Sequence, residues 1–287
     1  MLEFGFDAHN LDFSTDQVKI YTLPGLEEKV RQAEECTDTI VASNRNKWFF
    51  KPPPDRYFSL PKTHAIEVKN ADNEKHEQFH VNAFSFFRDH RFSYHEHNGY
   101  IDATPIAQHH SSDPCFVIRG FSQELAIEMS EKFWQNYKNV PNFPAIFETI
   151  VYNLFFSRVP WLTGCERFNQ TYGAFESYWK LFVPIAKTET PNTDIGKRTT
   201  HGKRWKVVSD YYGLPIPTEY IENIVAMRNE LEHESMIGGT AKWYGNRAPQ
   251  VILAHLMQRW INTLLVIMII GKELDQKPIP PQLIWLL

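Results

Sequence analysis

The sequence predicts an α+β protein, with a β-rich N-terminal domain in residues 1–119 and an all-α domain in residues 120–287. Two observations carry this prediction. Short segments rich in β-branched and aromatic residues, separated by turn residues, fill the first part. Long apolar stripes at helical spacing fill the second. The third observation is the size of the chain: 287 residues with 43% hydrophobic content suffice for one large domain or two modest ones, each with a buried core.

The N-terminal domain is predicted to hold strands at residues 64–69, 79–87 and 100–106, where β-branched and aromatic residues are bounded by turn signals. One helix is predicted at about residues 26–41, because Leu26, Val30 and Ala33 recur at helical spacing after a Pro-Gly pair. The proline run at residues 52–54 predicts a loop.

The C-terminal domain is predicted to be a series of helices separated by polar or Pro- and Gly-containing turns. Ser122 is the expected cap of the first helix, and Thr218 is the expected cap of a helix that ends before Gly238-Gly239. The predicted helices cover residues 122–138, 142–159, 165–186, 205–212, 219–234 and 248–270.

The charge pattern narrows the classes of partner. The formal net charge of −4 argues against a surface coated in basic residues for nonspecific nucleic-acid binding. The acidic excess lies in residues 1–120, whereas basic and acidic residues nearly balance in residues 121–287. A polyanionic partner is therefore expected at the C-terminal domain.

The cysteines and the apolar segments indicate the compartment. Cys36, Cys115 and Cys165 are far apart and form no Cys-x-x-Cys pair, so neither a disulfide framework nor a cysteine-rich zinc site is indicated. No basic start with an apolar run opens the chain, and polar residues interrupt the apolar stretch at 251–270, which predicts a buried helix. We expect a cytoplasmic protein that makes no membrane contact.

The helix predicted at residues 219–234 carries charged side chains where its apolar stripe predicts aliphatic ones. Arg228 follows Ile224 by four positions, and Glu232 lies four positions beyond Arg228. Burying an ion costs several kcal/mol unless it is paired. Arg228 is therefore expected either to pair with Glu232 as structural support or to await an anionic ligand.

Asn229 and His233 are also four apart, so the amide can orient the imidazole on the flank of the stripe. The segment from Arg228 to His233 resembles the Arg-x4-6-His motif of HEPN domains, including their frequent Asn after the Arg. The predicted helical layout of residues 120–287, with one long apolar helix after the motif, is similar to that family as well.

The resemblance implies an endoribonuclease that needs no metal and no cofactor, with Arg228, Asn229 and His233 as its catalytic residues. In that family two HEPN domains face each other across a shared cleft, so a homodimer or another HEPN partner is implied through the C-terminal domain. Transesterification of RNA needs a group that transfers protons near neutral pH, a role that suits His233. It also needs a cation beside the phosphate, a role that suits Arg228.

The biological role implied by the resemblance is that of a phage-defence protein or toxin, in which an N-terminal sensing or scaffold domain, with a regulatory partner, controls the nuclease. HEPN toxins that are silenced by a nucleotidyltransferase carry a Tyr two residues after the His, whereas this chain has Ser235. That route of regulation is not expected here.

A basic cluster just before the key helix is the expected RNA-binding segment. Its cations are suited to phosphates, and Trp205 is a candidate for base stacking. A solvated loop is the alternative interpretation. The segment lacks the Gly and the Ser or Thr of a phosphate loop. The RNA-binding candidates are Lys197, Arg198, Lys203, Arg204, Trp205 and Lys206.

Most of the 12 histidines lie between His64 and His110, including the pairs His76 with His80 and His95 with His97. A metal site at His95 and His97, completed by Glu96 or Asp102, is conceivable. Histidines on a solvated surface are the favoured interpretation. Besides the nuclease, two functions stay open: a non-catalytic HEPN scaffold, and a metal-dependent enzyme centred on these histidines.

Overall fold

The computed structural model describes residues 1–37, 60–97, 100–101, 123–158, 162–189, 195, 199–231 and 249–270. The chain divides into two compact units, Met1–Asn136 and Tyr137–Leu287. Helices predominate, and a small antiparallel sheet lies near the N-terminus, so the α+β class is confirmed at this level.

The N-terminal unit is built on a four-stranded antiparallel sheet with the strand order β1-β4-β3-β2. Strand β4 is central and confirms the strand predicted at residues 64–69; Ile66 pairs with Leu2 on one side and with Ile20 on the other. Strands β5 and β6 pair in a separate two-stranded antiparallel sheet. The strands are β1 Leu2–Phe4, β2 Phe13–Ser14, β3 Val18–Thr22, β4 His64–Val68, β5 Glu96–His97 and β6 Tyr100–Ile101.

Three helices accompany the sheet: α1 Leu26–Thr37, α2 Glu74–Arg88 and α3 Gln123–Tyr137. Residues of the sheet, of α2 and of α3 share one hydrophobic core, which includes Phe4, Ile66, Phe84 and Ile127. Most of α3 therefore belongs to the N-terminal unit, although the sequence boundary at 119/120 assigns it to the C-terminal domain.

The strand predicted at residues 79–87 is wrong, because these residues form the second half of α2. The helix is buried on nearly every side, including ten residues between His76 and Phe86. When all faces of a helix are buried, apolar residues occur all round it. The sequence then shows no alternation of polar and apolar residues by which a helical repeat of 3.6 residues can be told from a strand repeat of 2 residues. Asp89, in the left-handed region at φ 54°, ends the helix.

The C-terminal unit consists, over its described residues, of five helices. The longest, α5, packs against both α4 and α8, and its aromatic residues stack with those of neighbouring helices, as Phe175 does with Trp205. Each prediction of a helix in this part is confirmed within the described residues. The bounds are α4 Phe143–Phe156, α5 Gly164–Glu189, α6 His201–Tyr212, α7 Thr218–Asn229 and α8 Pro249–Ile270.

A tight turn joins α6 to α7. Gly213 ends α6 at φ 65°, a conformation that favours glycine, and the Ser209 hydroxyl donates to the Leu214 carbonyl at 2.6 Å. The residue at the N-cap of α7 is Pro217, and Thr218, the expected cap, is already the first residue of the helix. Proline suits this place because it donates no backbone N–H.

Helix α8 is, among the described helices, the one long and apolar enough to cross a membrane. Most of its length is buried inside the protein, and it lies against α5 and α7. Its inner face includes Leu253, Met257 and Leu264. This burial is typical of a core helix.

Candidate functional site

Helix α7 presents a mixed face to the interior. Asn223, Ile224 and Met227 are buried, whereas Arg228 is half-buried and Asn229 is exposed. Arg228 thus lies at the edge of the buried face. The C-cap residue that follows the helix, Glu230, is a buried acid, which sequence analysis passed over in favour of Glu232.

Arg228 lies close enough to Tyr172 of α5 for its charge to lower the pKa of that phenol. Tyr172 in turn belongs to a group of polar side chains with Glu176 on α5 and with His201 and Arg204 on α6. We call these five residues the α5–α7 polar cluster. The Tyr172 hydroxyl and the His201 Nδ1 atom are 2.5 Å apart. Glu176 lies 3.2 Å from the same His201 nitrogen through Oε1, and its Oε2 accepts from Arg204 at 2.5 Å.

Helix spacing explains why these side chains meet. Tyr172 and Glu176 are four apart on α5, and His201 and Arg204 are three apart on α6, so each pair occupies one helix face. Gly202 brings the first turn of α6 close to α7, since a Cβ atom there would lie 3.7 Å from a methyl group of Ile221 and of Val225.

The cluster combines net positive charge with partial burial. Burial raises the pKa of Tyr172, and Glu176 raises it further, while Arg228 and Arg204 lower it without reversing the shift. Tyr172 is therefore a protonated hydrogen-bonding group at neutral pH. Among these five residues, the Arg204 guanidinium and the His201 imidazole both contact one carboxylate, Glu176. Guanidinium groups such as those of Arg204 and Arg228 are suited to bind phosphates and carboxylates.

The catalytic set proposed from the sequence is described in part. Arg228 donates from Nη1 to Oδ1 of Asn229 at 3.2 Å, so in this structure the Asn229 amide contacts the guanidinium. His233 and Glu232 lie outside the described residues. Their pairing with Asn229 and Arg228 stays a prediction.

The RNA-binding candidates separate into different environments. Lys203 and Lys206 are exposed on α6, and Arg204 is held by Glu176 and lies over the ring of Trp179. Lys197 and Arg198 fall outside the described residues. The cations that the structure leaves accessible on this helix are thus the two lysines.

The base-stacking role of Trp205 is wrong for the folded chain. Trp205 is fully buried, with its ring stacked on Phe175 at a centroid distance of 3.5 Å and packed against Trp260 at 5.1 Å. Its position between charged residues in the sequence suggested exposure, but α6 directs only one face to solvent and Trp205 lies on the other.

The histidines of the N-terminal unit also depart from the expected surface location. His64, His76 and His80 are buried, and His76 and His80 both hydrogen-bond to Glu131 on α3. Burial raises the pKa of Glu131, but the hydrogen bonds from the two imidazoles outweigh it and hold this pKa well below its ordinary value. His95 is exposed, and Asp102 lies outside the described residues.

Sequence analysis did not assign Tyr172, Glu176 or His201 to a site, and it did not name Glu131. The spacing of Tyr172 and Glu176 on one predicted helix was a usable signal. Nothing in the sequence links Glu131 to histidines more than fifty positions away, because only the packing of α3 against α2 brings them together.

Searches of this chain against protein-family models, curated proteins and solved structures find no match.

Proposed function

We propose that this protein is a metal-independent endoribonuclease of the HEPN type, with Arg228, Asn229 and His233 as its catalytic residues. The observation that carries the proposal is that the charge of Arg228 acts on Tyr172, whose hydroxyl contacts His201, at the edge of the buried face of α7. Cations and a proton-transfer group that share one half-buried surface are what cleavage at a phosphodiester requires.

In the proposed reaction the RNA supplies its own nucleophile. The ribose 2′-oxygen attacks phosphorus, the bond from phosphorus to the 5′-oxygen breaks, and a 2′,3′-cyclic phosphate and a 5′-hydroxyl result. One proton leaves the 2′-oxygen and one reaches the 5′-oxygen, and His233 serves this transfer. Arg228 stabilises the negative charge on the phosphoryl oxygens, and its forked donors suit two of them at once.

Other residues of the surface have supporting roles in this proposal. Asn229 orients Arg228 or the ribose, and Lys203 and Lys206 attract the RNA backbone through charge. Arg204 is tied to Glu176, so it positions the cluster rather than the RNA. A homodimer, or a second HEPN chain, completes the cleft by bringing two motif helices together.

The test is an RNA cleavage assay on the full chain in excess chelator. We expect cleavage by the wild type, with cyclic phosphate ends, and a loss of at least about a hundredfold in His233→Ala and in Arg228→Ala. His95→Ala is the matched control, because it removes an exposed histidine of the other unit and should cleave normally.

The outcomes separate the three functions. No cleavage with or without added metals, by a folded protein, would favour a non-catalytic scaffold. Cleavage that appears only on addition of metal would favour a metal-dependent enzyme. A defence or toxin role, which we propose in the cytoplasm, requires that the wild type be toxic in a growth assay and that His233→Ala not be toxic.

A further inference from the structure

His76 and His80 lie one turn apart on α2, and their ring nitrogens converge on a single carboxylate. Both Nε2 atoms reach Oε2 of Glu131, at 2.8 Å from His76 and 2.7 Å from His80. All three ligand atoms lie within 4.8 Å of one another. We propose that His76, His80 and Glu131 bind one divalent transition-metal ion of the zinc class.

The donor set fits that class of ion. Two imidazole nitrogens and one carboxylate oxygen are ligands that zinc takes in proteins, and they leave one position of a tetrahedral ion for water. Zinc to ligand distances of about 2.0–2.1 Å place tetrahedral donors about 3.3 Å apart. The two distances to Glu131 in the structure are about half an ångström shorter than this spacing, so the Glu131 carboxylate would have to withdraw slightly to admit an ion.

The histidines are held where a metal ligand needs to be rigid. His80 is 0% exposed and His76 is 1% exposed. The Trp134 ring stacks on His76 with a centroid distance of 4.4 Å and an interplanar angle of 6°. Trp134 also donates to Oδ2 of Asp72 at 3.0 Å, and this carboxylate oxygen lies 4.0 Å from Nδ1 of His76.

Asp72 lies at the other ring nitrogen of His76. Its backbone N–H donates to Nδ1 at 3.5 Å, so the ring proton of the metal-free protein is on Nε2, which faces Glu131. When Nε2 binds a metal the proton moves to Nδ1, and the Asp72 carboxylate, 4.0 Å away and oriented by Trp134, is the acceptor that a small shift would bring into hydrogen-bond distance. We therefore assign Asp72 and Trp134 as positioning residues for His76.

The charge of the cluster suits a bound cation. If both Nε2–H groups donate to Glu131, a carboxylate that is 14% exposed faces two neutral rings, and its charge has no cation among these three residues. Nδ1 of His80 is buried and has no hydrogen-bond partner, so a second proton on that ring gains nothing there. A divalent ion compensates the carboxylate directly.

Glu131 connects the buried histidines to a groove. A groove of about 500 Å³ is lined by Gln17, Glu131, Lys132, Gln135 and Asn136. Glu131 spans from this groove to the histidines, because its Oε1 accepts from Gln135 at 2.7 Å while its Oε2 contacts the rings. The bound ion would cross-link α2 to α3, two helices that are distant in the sequence.

The test uses the full chain, stripped with chelator and dialysed, and titrated with zinc chloride by calorimetry. We expect one equivalent to bind with a Kd of micromolar or below, and cobalt chloride to give the visible absorption of a tetrahedral ion. At a zinc concentration about a hundredfold above Kd, the melting temperature should rise by about 5–10 °C.

The variants are His76→Gln and Glu131→Gln, which keep volume and some hydrogen bonding but remove a ligand. Each should bind at least about tenfold more weakly and lose the zinc-dependent rise in melting temperature, whereas the exposed-site control His95→Ala should match the wild type. No binding by the wild type, or unchanged binding by folded Glu131→Gln, overturns the proposal. If both variants fail to fold, an octahedral cobalt spectrum of the wild type overturns it instead.

Discussion

At the scale of single residues, His64 shows how one buried imidazole ties stability to pH. Its Nε2–H donates to the His9 carbonyl at 3.1 Å, because a carbonyl oxygen can only accept, and its Nδ1 therefore accepts from the Thr63 hydroxyl at 2.8 Å. Both nitrogens are satisfied only in the neutral ring. Burial lowers the pKa of His64 to about 4, although the hydrogen bond to His9 opposes the shift.

The first prediction is a loss of stability on acidification. The unfolded chain takes up the His64 proton near pH 6.5 and the folded chain near pH 4, so the unfolded state binds more protons between these values. The contribution of His64 to the free energy of unfolding is complete above pH 6.5 and falls by up to about 3 kcal/mol as pH drops to 4. Urea denaturation at several pH values measures it.

The matched variant is His64→Gln, whose amide can donate to His9 and accept from Thr63 but does not titrate. Its free energy of unfolding should decline less than that of the wild type across the same interval. Parallel curves for the two proteins would contradict the assignment to His64.

The second prediction separates packing from chemistry on α7. Arg228→Ala removes a half-buried cation from beside Tyr172 and should lower the free energy of unfolding by about 1–3 kcal/mol. Lys206→Ala removes an exposed cation of α6 and should change it by less than about 0.5 kcal/mol. Thermal melts measure both, and equal melting temperatures would show that Arg228 has no packing role. His233→Ala is expected to melt like the wild type.

At the scale of secondary-structure elements, the start of α5 is set by a reciprocal capping interaction. The backbone N–H of Thr163 donates to Oε2 of Glu166 at 2.7 Å, and the N–H of Glu166 donates to the Thr163 hydroxyl at 3.3 Å. This pattern satisfies two backbone donors at the helix N-terminus. Because α5 carries Tyr172 and Glu176, its start also positions the α5–α7 polar cluster.

The third prediction is that Thr163→Ala destabilises the protein by about 1 kcal/mol, because the N–H of Glu166 loses its acceptor. Thr149→Ala is the control: its exposed hydroxyl only bonds back to the Ala145 carbonyl inside α4, so alanine there should be neutral or stabilising by a few tenths of a kcal/mol. Chemical denaturation midpoints compare the two. Equal midpoints would mean that the capping interaction contributes nothing measurable.

At the scale of the whole molecule, the proposed nuclease depends on a second motif helix. For the contact with that helix we propose the apolar residues Ile221, Val225 and Leu231, together with parts of the helix at residues 251–270. In the structure much of α8 is already used inside the C-terminal unit, whereas Ile221, Val225 and Leu231 stay partly accessible. Val251, at 43% exposure, is the large hydrophobic residue of α8 that faces solvent.

The fourth prediction is a homodimer formed through this surface, with a total buried area on the order of 1,200–2,000 Å². Val251→Glu should weaken the dimer by about tenfold or more, because it buries a charge in the contact. Leu125→Glu, a matched change at an exposed residue of α3, should leave it intact. Analytical ultracentrifugation measures both, and a strict wild-type monomer at micromolar concentration, without a HEPN partner, would contradict the two-protomer cleft.

Sequence periodicity determined the α+β class, the central strand at residues 64–68 and the helical second half, because each pattern there contrasts one buried face with one exposed face. Periodicity also identified Arg228 as a cation on an apolar stripe, and its side chain lies at the edge of the buried face of α7. Where a helix is buried all round, as α2 is, the contrast vanishes and the local prediction failed.

Only the tertiary structure decided which distant side chains meet. It buried Trp205, which the sequence placed among cations, and it joined Tyr172 and Glu176 to His201 and Arg204. It also set Glu131 against His76 and His80, which lie 55 and 51 positions away along the chain. The local sequence pattern of a helix or strand indicates which of its faces is buried. The partners of a buried polar side chain depend on how separate helices and strands pack, so they cannot be predicted from any single segment of the sequence.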